Sequence, residues 1–200
     1  MHDLISSLFV ENFSNPILDQ QSDSALLKLN KNEIAFTTDG FVVDPVFFPG
    51  GDIGKLAICG TVNDIAVAGA KPLYISCSFI LEEGLSFKDL EEIVRSMAEE
   101  ARKAGVQIVT GDTKVVNRGK CDKVFITTTG IGELDKKQRE ISSGAMITCG
   151  DKILINGNIG DHGMAILASR EGLELESDIA TDSAPLNQMV DALVTQLESE

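Results

Sequence analysis

Residues 57–70 form an almost wholly apolar stretch, and many of its side chains are small. The fold must therefore bury most of this stretch away from water. The interior of the stretch holds one carboxylate, Asp64, beside one amide, Asn63. A carboxylate among residues this apolar is costly to bury unless a hydrogen-bond partner or a cation stabilises its charge. The stretch therefore predicts either a ligand site or a buried helix whose polar residue bonds to a neighbouring loop.

Small residues recur around Asp64 at the three- and four-residue spacing of one helix face. Such a face would let a ligand approach the backbone closely, and its members are Ala57, Gly60, Thr61, Asp64 and Ala68. The preceding Asp52 is a predicted N-cap, so we expect a helix over residues 53–68.

The composition is typical of a globular chain with one full core and part of a second, with 43% apolar and 24% charged residues in 200. A net charge of −14 argues against a phosphate backbone as the main partner, so no nucleic acid is expected. No apolar run approaches the roughly 20 residues that span a bilayer, and the N-terminus lacks a signal-peptide pattern. We therefore expect no membrane association and a cytoplasmic location.

The four cysteines lie far apart, without a C-x-x-C pair, and the chain has only two histidines. This spacing disfavours a zinc site or a disulfide framework. Most of these thiols are predicted to be small buried side chains.

Alternating strand and helix patterns predict an α+β fold. The predicted helices begin after Asp52 and Ser86, with Gly105 ending the second, and further helices are expected within the first 13 residues, over 164–169 and from about Pro185. The predicted strands cover residues 24–29, 34–38, 41–43, 72–82, 106–116, 123–131 and 152–156. We expect a first domain over residues 1–145 and the start of a second over 146–200, which has too few elements to bury a sheet of its own.

Three acidic residues stand at predicted strand ends: Asp23, Asp39 and Asp112. Together with Asp64, these carboxylates suit Mg²⁺, which prefers oxygen ligands. The alternative is that they are ordinary turn aspartates, since Asp favours turns.

The loop at 49–56 is close to a P-loop but departs from it twice. Pro49 replaces the first glycine, and Leu56 replaces the Ser or Thr that would hold magnesium. Lys55 could still reach a phosphate from the first turn of the helix, and the segment at 160–163 also precedes a helix whose amides could bind phosphate. A solvated lysine and a structural His162 are the alternatives.

Five motifs follow one another in a fixed order between residues 37 and 163, and the match that they carry runs over nearly the whole chain. They read Thr-Thr-Asp-Gly-Phe-Val-Val-Asp-Pro at 37–45, Phe-Pro-Gly-Gly-Asp-Ile-Gly-Lys-Leu-Ala at 48–57, Gly-Thr-Val-Asn-Asp-Ile-Ala at 60–66, Gly-Asp-Thr-Lys-Val-Val at 111–116 and Gly-Asp-His-Gly at 160–163. This set resembles the HypE family of hydrogenase maturation proteins, which belongs to the AIR-synthetase (PurM-like) ATP-binding superfamily.

The resemblance implies an N-terminal α+β domain with a mixed sheet that pairs with its twin into a dimeric barrel, followed by a C-terminal α+β domain. ATP with Mg²⁺ would lie between the two domains. The implied activity is ATP-dependent dehydration of a carbamoyl group on a C-terminal cysteine to a thiocyanate, for the cyanide ligands of [NiFe]-hydrogenase iron. The implied partners are a second copy, the carbamoyltransferase HypF and the HypC–HypD scaffold.

The resemblance also implies roles for single residues. It implies that four carboxylates bind the metal ion: Asp23, Asp39, Asp64 and Asp112. It gives catalytic roles to Asp64, Lys55 and Lys114. It places nucleotide contacts at Thr38, Asp39, Asn63, Gly111, Asp112, Thr113, Gly160 and Asp161. Carboxylates, Mg²⁺ and lysines suit phosphoryl chemistry, which needs positioning and charge neutralisation.

The sequence departs from the family pattern at both ends. It lacks the Gly-rich segment before the first helix, a later basic motif and the terminal Pro-Arg-Ile-Cys. We therefore expect weak or absent ATP binding and no complete reaction by this chain alone. The alternatives are another superfamily enzyme, such as selenophosphate synthetase, AIR synthetase or thiamine-monophosphate kinase, or a non-catalytic dimerisation module.

Overall fold

The computed structural model of the chain describes residues 25–29, 32–135, 138–172 and 179–197. The strands in this part are β1 (Ala25–Leu29), β2 (Asn32–Phe41), β3 (Phe47–Phe48), β4 (Gly51–Asp52), β5 (Ala70–Glu82), β6 (Gln107–Val116) and β7 (Val124–Leu134). The helices are α1 (Ile53–Val67), α2 (Phe87–Ala104), α3 (Asp161–Glu171) and α4 (Asn187–Leu197). The helix predicted in the first 13 residues and the predicted metal ligand Asp23 lie outside the described residues.

Five strands form a mixed sheet in the order β1-β2-β7-β5-β6. All neighbours are antiparallel except β5 and β6, which run parallel because α2 crosses between them. Helices α1 and α2 cover one face of this sheet, where the main core lies. The α+β class and the mixed sheet predicted from the sequence are therefore confirmed.

The opposite face of the sheet, called here the open face, carries Phe36, Thr38, Tyr74, Ile80 and Asp112. Its large apolar side chains are partly exposed, at 39% for Phe36, 45% for Tyr74 and 39% for Ile80. Strand β6 forms one edge of the sheet and is exposed along almost its whole length.

Helix α1 forms where the sequence predicts it. Asp52 caps it by accepting hydrogen bonds from the backbone N–H groups of Gly54 at 2.6 Å and Lys55 at 3.1 Å. The helix is apolar on most sides because it lies between the sheet and α2. The caps predicted for α2 are confirmed as well: Ser86 accepts from the N–H of Asp89 at 3.1 Å, and Gly105 ends the helix with φ +73°.

The small-residue face of α1 packs mainly against protein rather than leaving room for a ligand. Ala57 and Thr61 are fully buried. A side chain at Gly60 would meet the Phe41 ring at 2.9 Å. Small residues at this spacing allow a helix to approach a sheet closely. This packing explains most of the small residues along α1.

Strand β7 contributes to the same close approach through Gly132. A Cβ atom at this position would meet Ile65 of α1 and would lie 2.9 Å from the Lys71 carbonyl oxygen. We expect Gly132→Ala to lower the free energy of unfolding by about 1–3 kcal/mol, because overpacking forces the helix away from the sheet. Urea denaturation followed by circular dichroism measures this change.

Gly40→Ala is the matched control, since a Cβ at Gly40 would have no heavy atom within 4 Å. We expect it to change the stability by less than about 0.5 kcal/mol. Equal effects of the two substitutions would contradict the packing explanation.

The prediction of a strand at 152–156 is wrong, because the structure has no strand there. Ile153 is 98% exposed and Leu154 is 87% exposed. An alternating apolar pattern forms a strand only when another strand supplies hydrogen-bond partners, and the described part of the chain offers none to this segment. The helices predicted after it are confirmed as α3 and α4.

None of the helices in the described ranges is both long and apolar enough to cross a membrane.

Candidate functional site

Two of the predicted carboxylates are half-buried where β2 meets α1, and we call this junction of Thr37, Asp39, Gly60 and Asp64 the crevice. The hydroxyl of Thr37 on β2 donates a hydrogen bond of 3.1 Å to Asp64 Oδ2 on α1. Asp39 shares the helix-facing side of β2 with Thr37, because side chains alternate along a strand. Its Oδ2 lies 3.8 Å from the position that a Cβ on Gly60 would occupy. Since Gly60 and Asp64 are one helical turn apart, both carboxylates border the same crevice.

Asp112 does not join this pair within one chain. The strand register aligns Asp39 with Thr128, Thr128 with Cys77, and Cys77 with Gly111, so these four residues share the helix-covered face. Asp112 follows Gly111 directly and therefore belongs to the open face. Strands β7 and β5 also separate β6 from β2, which puts the two aspartates about 14 Å apart across the sheet.

The predicted four-carboxylate metal set is therefore divided in the structure. Asp39 and Asp64 come together, Asp112 lies on the other face, and Asp23 falls in the part that is not described. Across the described ranges, no group of three or more His, Cys, Asp or Glu side chains could hold a metal ion. The prediction that Asp39 and Asp112 stand at strand ends is wrong, because both lie within longer strands, β2 and β6. The strand order and the face of each residue depend on tertiary topology, which the sequence pattern does not show.

On β6, Asp112 is paired with Lys114. The two form an ion pair at 2.8 Å, and Asp112 also accepts a hydrogen bond of 2.9 Å from the N–H of Thr113. The Lys114 hydrogen bond, followed by that from Thr113, lowers the pKa of Asp112 below its ordinary value. Asp112 thus remains a carboxylate at neutral pH, on an exposed strand edge.

Lys55 also lies away from the crevice. Nine positions separate it from Asp64 along α1, about 14 Å along the axis and half a turn around it. Its ammonium group donates to the Gly50 carbonyl oxygen at 2.9 Å. The predicted catalytic group of Asp64, Lys55 and Lys114 is consequently not assembled within one chain.

Thr38, a predicted nucleotide contact, lies on the open face and bonds to β7. Its hydroxyl donates to the Thr128 carbonyl oxygen at 2.9 Å and lies 3.1 Å from the Thr129 hydroxyl. On the opposite face, the Thr61 and Thr128 hydroxyls share a buried hydrogen bond that joins α1 to β7. Thr128 was not singled out in the sequence, because it is the middle one of three consecutive threonines in a strand, and threonine is common in strands.

Asn63 uses both ends of its side-chain amide on the backbone of a later segment. Its Nδ2 donates to the Ala184 carbonyl oxygen at 3.0 Å, and its Oδ1 accepts from the Leu186 N–H at 2.8 Å. The resemblance implies that Asn63 contacts a nucleotide. In the structure, its side-chain amide binds a segment about 120 residues away in the chain.

The start of α3 is occupied largely by protein groups. Gly160 precedes the helix with φ +91°, and the Asp161 carboxylate accepts from Asn158 at 3.2 Å. The N–H of His162 donates to Asp182 at 3.2 Å, and His162 Nδ1 lies 3.0 Å from the Thr181 hydroxyl. These contacts favour the structural interpretation of His162.

The buried cysteines are poor nucleophiles. Burial raises the pKa of Cys59 to about 11, and a hydrogen bond with Ser183 offsets only part of this rise. Burial also raises the pKa of Cys77 to about 11. Because the thiolate is the reactive form, neither thiol is activated at neutral pH. The prediction that most cysteines are buried is confirmed, since only Cys149 of the four is exposed.

Comparison with known proteins identifies the family to which this fold belongs. The family profile described as AIR synthase related protein, N-terminal domain, matches residues 21–134. Carbamoyl dehydratase HypE of Escherichia coli strain K12 is 52% identical over 199 residues, covering 96% of this chain and 58% of the relative. The chain thus spans little more than half the length of that relative.

Two solved structures are similar over almost the entire chain. A HypE–HypF complex has a TM-score of 0.83 and 48% identity, covering 96% of this chain and 62% of the other. The hydrogenase maturation protein HypE in complex with ATP has a TM-score of 0.79 and 55% identity, covering 98% and 58%. The resemblance carried by the five sequence motifs is confirmed, and the chain belongs to the AIR synthase related protein family, within which it is similar to the HypE proteins of hydrogenase maturation.

Proposed function

We propose that this chain is the ATP-binding part of a hydrogenase maturation enzyme that dehydrates a carbamoyl group on a cysteine thiol to a thiocyanate. The observation that carries the proposal is that Asp39 and Asp64 lie at the same junction of β2 and α1, beside Thr37 and Gly60. The similarity to a HypE structure in complex with ATP supports the choice of nucleotide. As an enzyme, the longer protein would be an ATP-dependent carbamoyl dehydratase.

The donor atoms of the crevice fit Mg²⁺. Two carboxylates and a nearby hydroxyl are hard oxygen ligands, and Mg²⁺ usually takes one or two carboxylates together with phosphate oxygens. Asp39 and Asp64 would hold the ion, while Thr37 fixes the orientation of the Asp64 carboxylate through its hydrogen bond. The ion would neutralise charge on the transferred phosphoryl group.

In the proposed reaction, the carbamoyl oxygen attacks the γ-phosphate of ATP and releases ADP. Loss of phosphate then removes that oxygen, and the two nitrogen protons leave as the carbon–nitrogen triple bond forms. The residues of this chain bind and orient the phosphates, and no protein nucleophile is needed. The high pKa values of Cys59 and Cys77 agree with this role.

A second copy of the chain is part of the proposal. Asp112 and Lys114 can join Asp39 and Asp64 only from another copy, because the strand order and side-chain alternation keep them apart within one chain. The exposed edge strand β6, which carries Asp112 and Lys114, is the surface that we expect the second copy to contact. Gly111 and Thr113 would accompany Asp112 in this shared site.

Further partners and the domain division are proposed on the same similarity. The alignment with a HypE–HypF complex supports HypF as a partner. The HypC–HypD scaffold and a cytoplasmic location follow from membership of the same maturation process. The family match to residues 21–134 supports a first domain over 1–145, with a second over 146–200 that includes Gly160 and Asp161.

The proposal predicts weak, saturable binding of ATP that requires Mg²⁺. The test is isothermal titration calorimetry of the chain with ATP, first with Mg²⁺ and then with the metal removed by EDTA. Without the cation, like charges on the carboxylates and the phosphates repel each other, so binding should be lost. Equal binding with and without Mg²⁺ would contradict the metal role. The absence of any binding by a chain that still forms dimers would favour a dimerisation module.

A further inference from the structure

A short segment that follows α3 crosses the outer side of α1. We call residues 180–186 the strap. At its beginning, the Thr181 N–H donates to the Pro49 carbonyl oxygen at 2.8 Å. The strap passes so close to the loop before α1 that a Cβ on Gly50 would lie 2.9 Å from the Ala180 Cβ. Gly50 also has φ +85°, which a glycine adopts without strain.

Along its middle, the strap follows one stripe of α1. Ser183 lies beside the thiol of Cys59 and favours its ionised form, which partly offsets the rise in the pKa of Cys59 on burial. One turn further along the helix, the Asn63 amide binds the Ala184 carbonyl oxygen and the Leu186 N–H, at 3.0 and 2.8 Å. Residues four apart lie on the same side of a helix, so these contacts form a continuous row.

The strap also holds the first turn of α3. The Thr181 hydroxyl lies 3.0 Å from His162 Nδ1, and the Asp182 carboxylate accepts from the His162 N–H at 3.2 Å. Gly160 and Asp161, for which the family resemblance implies nucleotide contacts, directly precede His162. The strap is therefore a direct structural link between the start of α3 and α1.

Asn63 occupies a special place in this link because its neighbour in the chain is Asp64. The side-chain amide of Asn63 both donates a hydrogen bond to the strap and accepts one from it, as the backbone of a residue in a β-strand does with a neighbouring strand. Asp64 meanwhile points to Thr37 on the sheet side. One turn of α1 thus contacts the strap on one side and the candidate metal crevice on the other.

We propose that Asn63 is a positioning residue that fixes the strap on α1 and thereby holds the start of α3 at the distance from Asp64 that nucleotide binding requires. The inference rests on the proposed function, because it assumes that both places bind one nucleotide. Asn63 itself would not contact the nucleotide.

The test compares Asn63→Ala with Gln188→Ala. Gln188 makes the same kind of bond, from a side-chain amide to the Lys103 carbonyl oxygen at 2.9 Å, but it contacts α2 rather than α1. Hydrogen exchange of the amides in 181–186 reports on the strap, and calorimetry with Mg-ATP reports on the site. We expect Asn63→Ala to speed exchange and to weaken binding about tenfold, while Gln188→Ala changes neither by more than about twofold.

Asn63→Gln is the second variant should the alanine variant fail to fold. It keeps an uncharged amide but adds one methylene, so it cannot make both bonds in the same geometry, and we expect the same changes. Faster exchange in the strap with unchanged Mg-ATP affinity would overturn the positioning role and leave the proposed function intact. If the unmodified chain binds no Mg-ATP, the proposed function fails and the positioning role fails with it. Equal loss of affinity in Gln188→Ala would overturn the special role of Asn63.

Discussion

Asp64→Asn is expected to weaken Mg-ATP binding at least thirtyfold, which corresponds to about 2 kcal/mol or more. Asparagine has the shape of aspartate, and its carbonyl oxygen can still accept the Thr37 hydrogen bond seen at 3.1 Å. The substitution therefore removes the negative charge and leaves the packing of α1 unchanged. Calorimetry with Mg-ATP measures the loss, and circular dichroism confirms the fold.

Glu92→Gln is the control for this experiment. Glu92 is an exposed residue of α2, so the substitution removes one negative charge far from the crevice. We expect its Mg-ATP affinity to match that of the unmodified chain. If Asp64→Asn binds as tightly as Glu92→Gln, Asp64 holds no metal, and the interpretation of Asp64 as an internal hydrogen-bond acceptor is correct.

Two inactive variants are expected to restore a binding site when they are combined in one dimer. If Asp112 acts across the dimer, Asp64→Asn and Asp112→Asn chains each lose Mg-ATP binding alone. A dimer with one chain of each kind has one site with both aspartates intact and one site with neither. Such a dimer should bind about half as much Mg-ATP as the unmodified dimer. Two different affinity tags isolate the mixed dimer, and calorimetry gives the stoichiometry.

The stoichiometry of the mixed dimer distinguishes a site shared between two copies from a site built within one chain. A site built within one chain would leave the mixed dimer without any binding, because every chain carries one substitution. The physical reason to expect a shared site is the separation of about 14 Å across the sheet between β2 and β6, since two carboxylates on one ion must each come within about 2.1 Å of it. A mixed dimer that binds no Mg-ATP would contradict the role of the second copy.

The local structure around α1 could be predicted from the sequence because its signals are local. The N-caps Asp52 and Ser86 act on backbone groups two or three residues away, and Gly105 ends α2 through its own φ of +73°. The spacing of small residues correctly indicated a buried helix. The spacing could not show whether this face of α1 contacts a ligand or the rest of the protein. Close approach of a ligand and close approach of the β7 glycines both require small residues on α1.

The arrangement of the candidate site could be predicted only in part. Asp39 and Asp64 come together, yet Asp112 takes the opposite face, since one step along a strand reverses the face of a side chain. Asn63 shows a second limit. Its polar side chain in an apolar helix indicated a partner, but the Ala184 and Leu186 backbone atoms that it binds belong to a distant segment without any recognisable motif.

The exposed strand β6 also bears on how the chain avoids uncontrolled self-association. A long edge strand offers unpaired backbone groups to any other extended chain, and Ile108, Val109 and Val115 add apolar surface to it. Asp112 and Lys114 lie in the middle of this edge as a charged pair. An approaching apolar strand would desolvate both charges without compensation, whereas polar groups on a second copy would offset this cost. The pair thus discourages aggregation before the correct partner arrives.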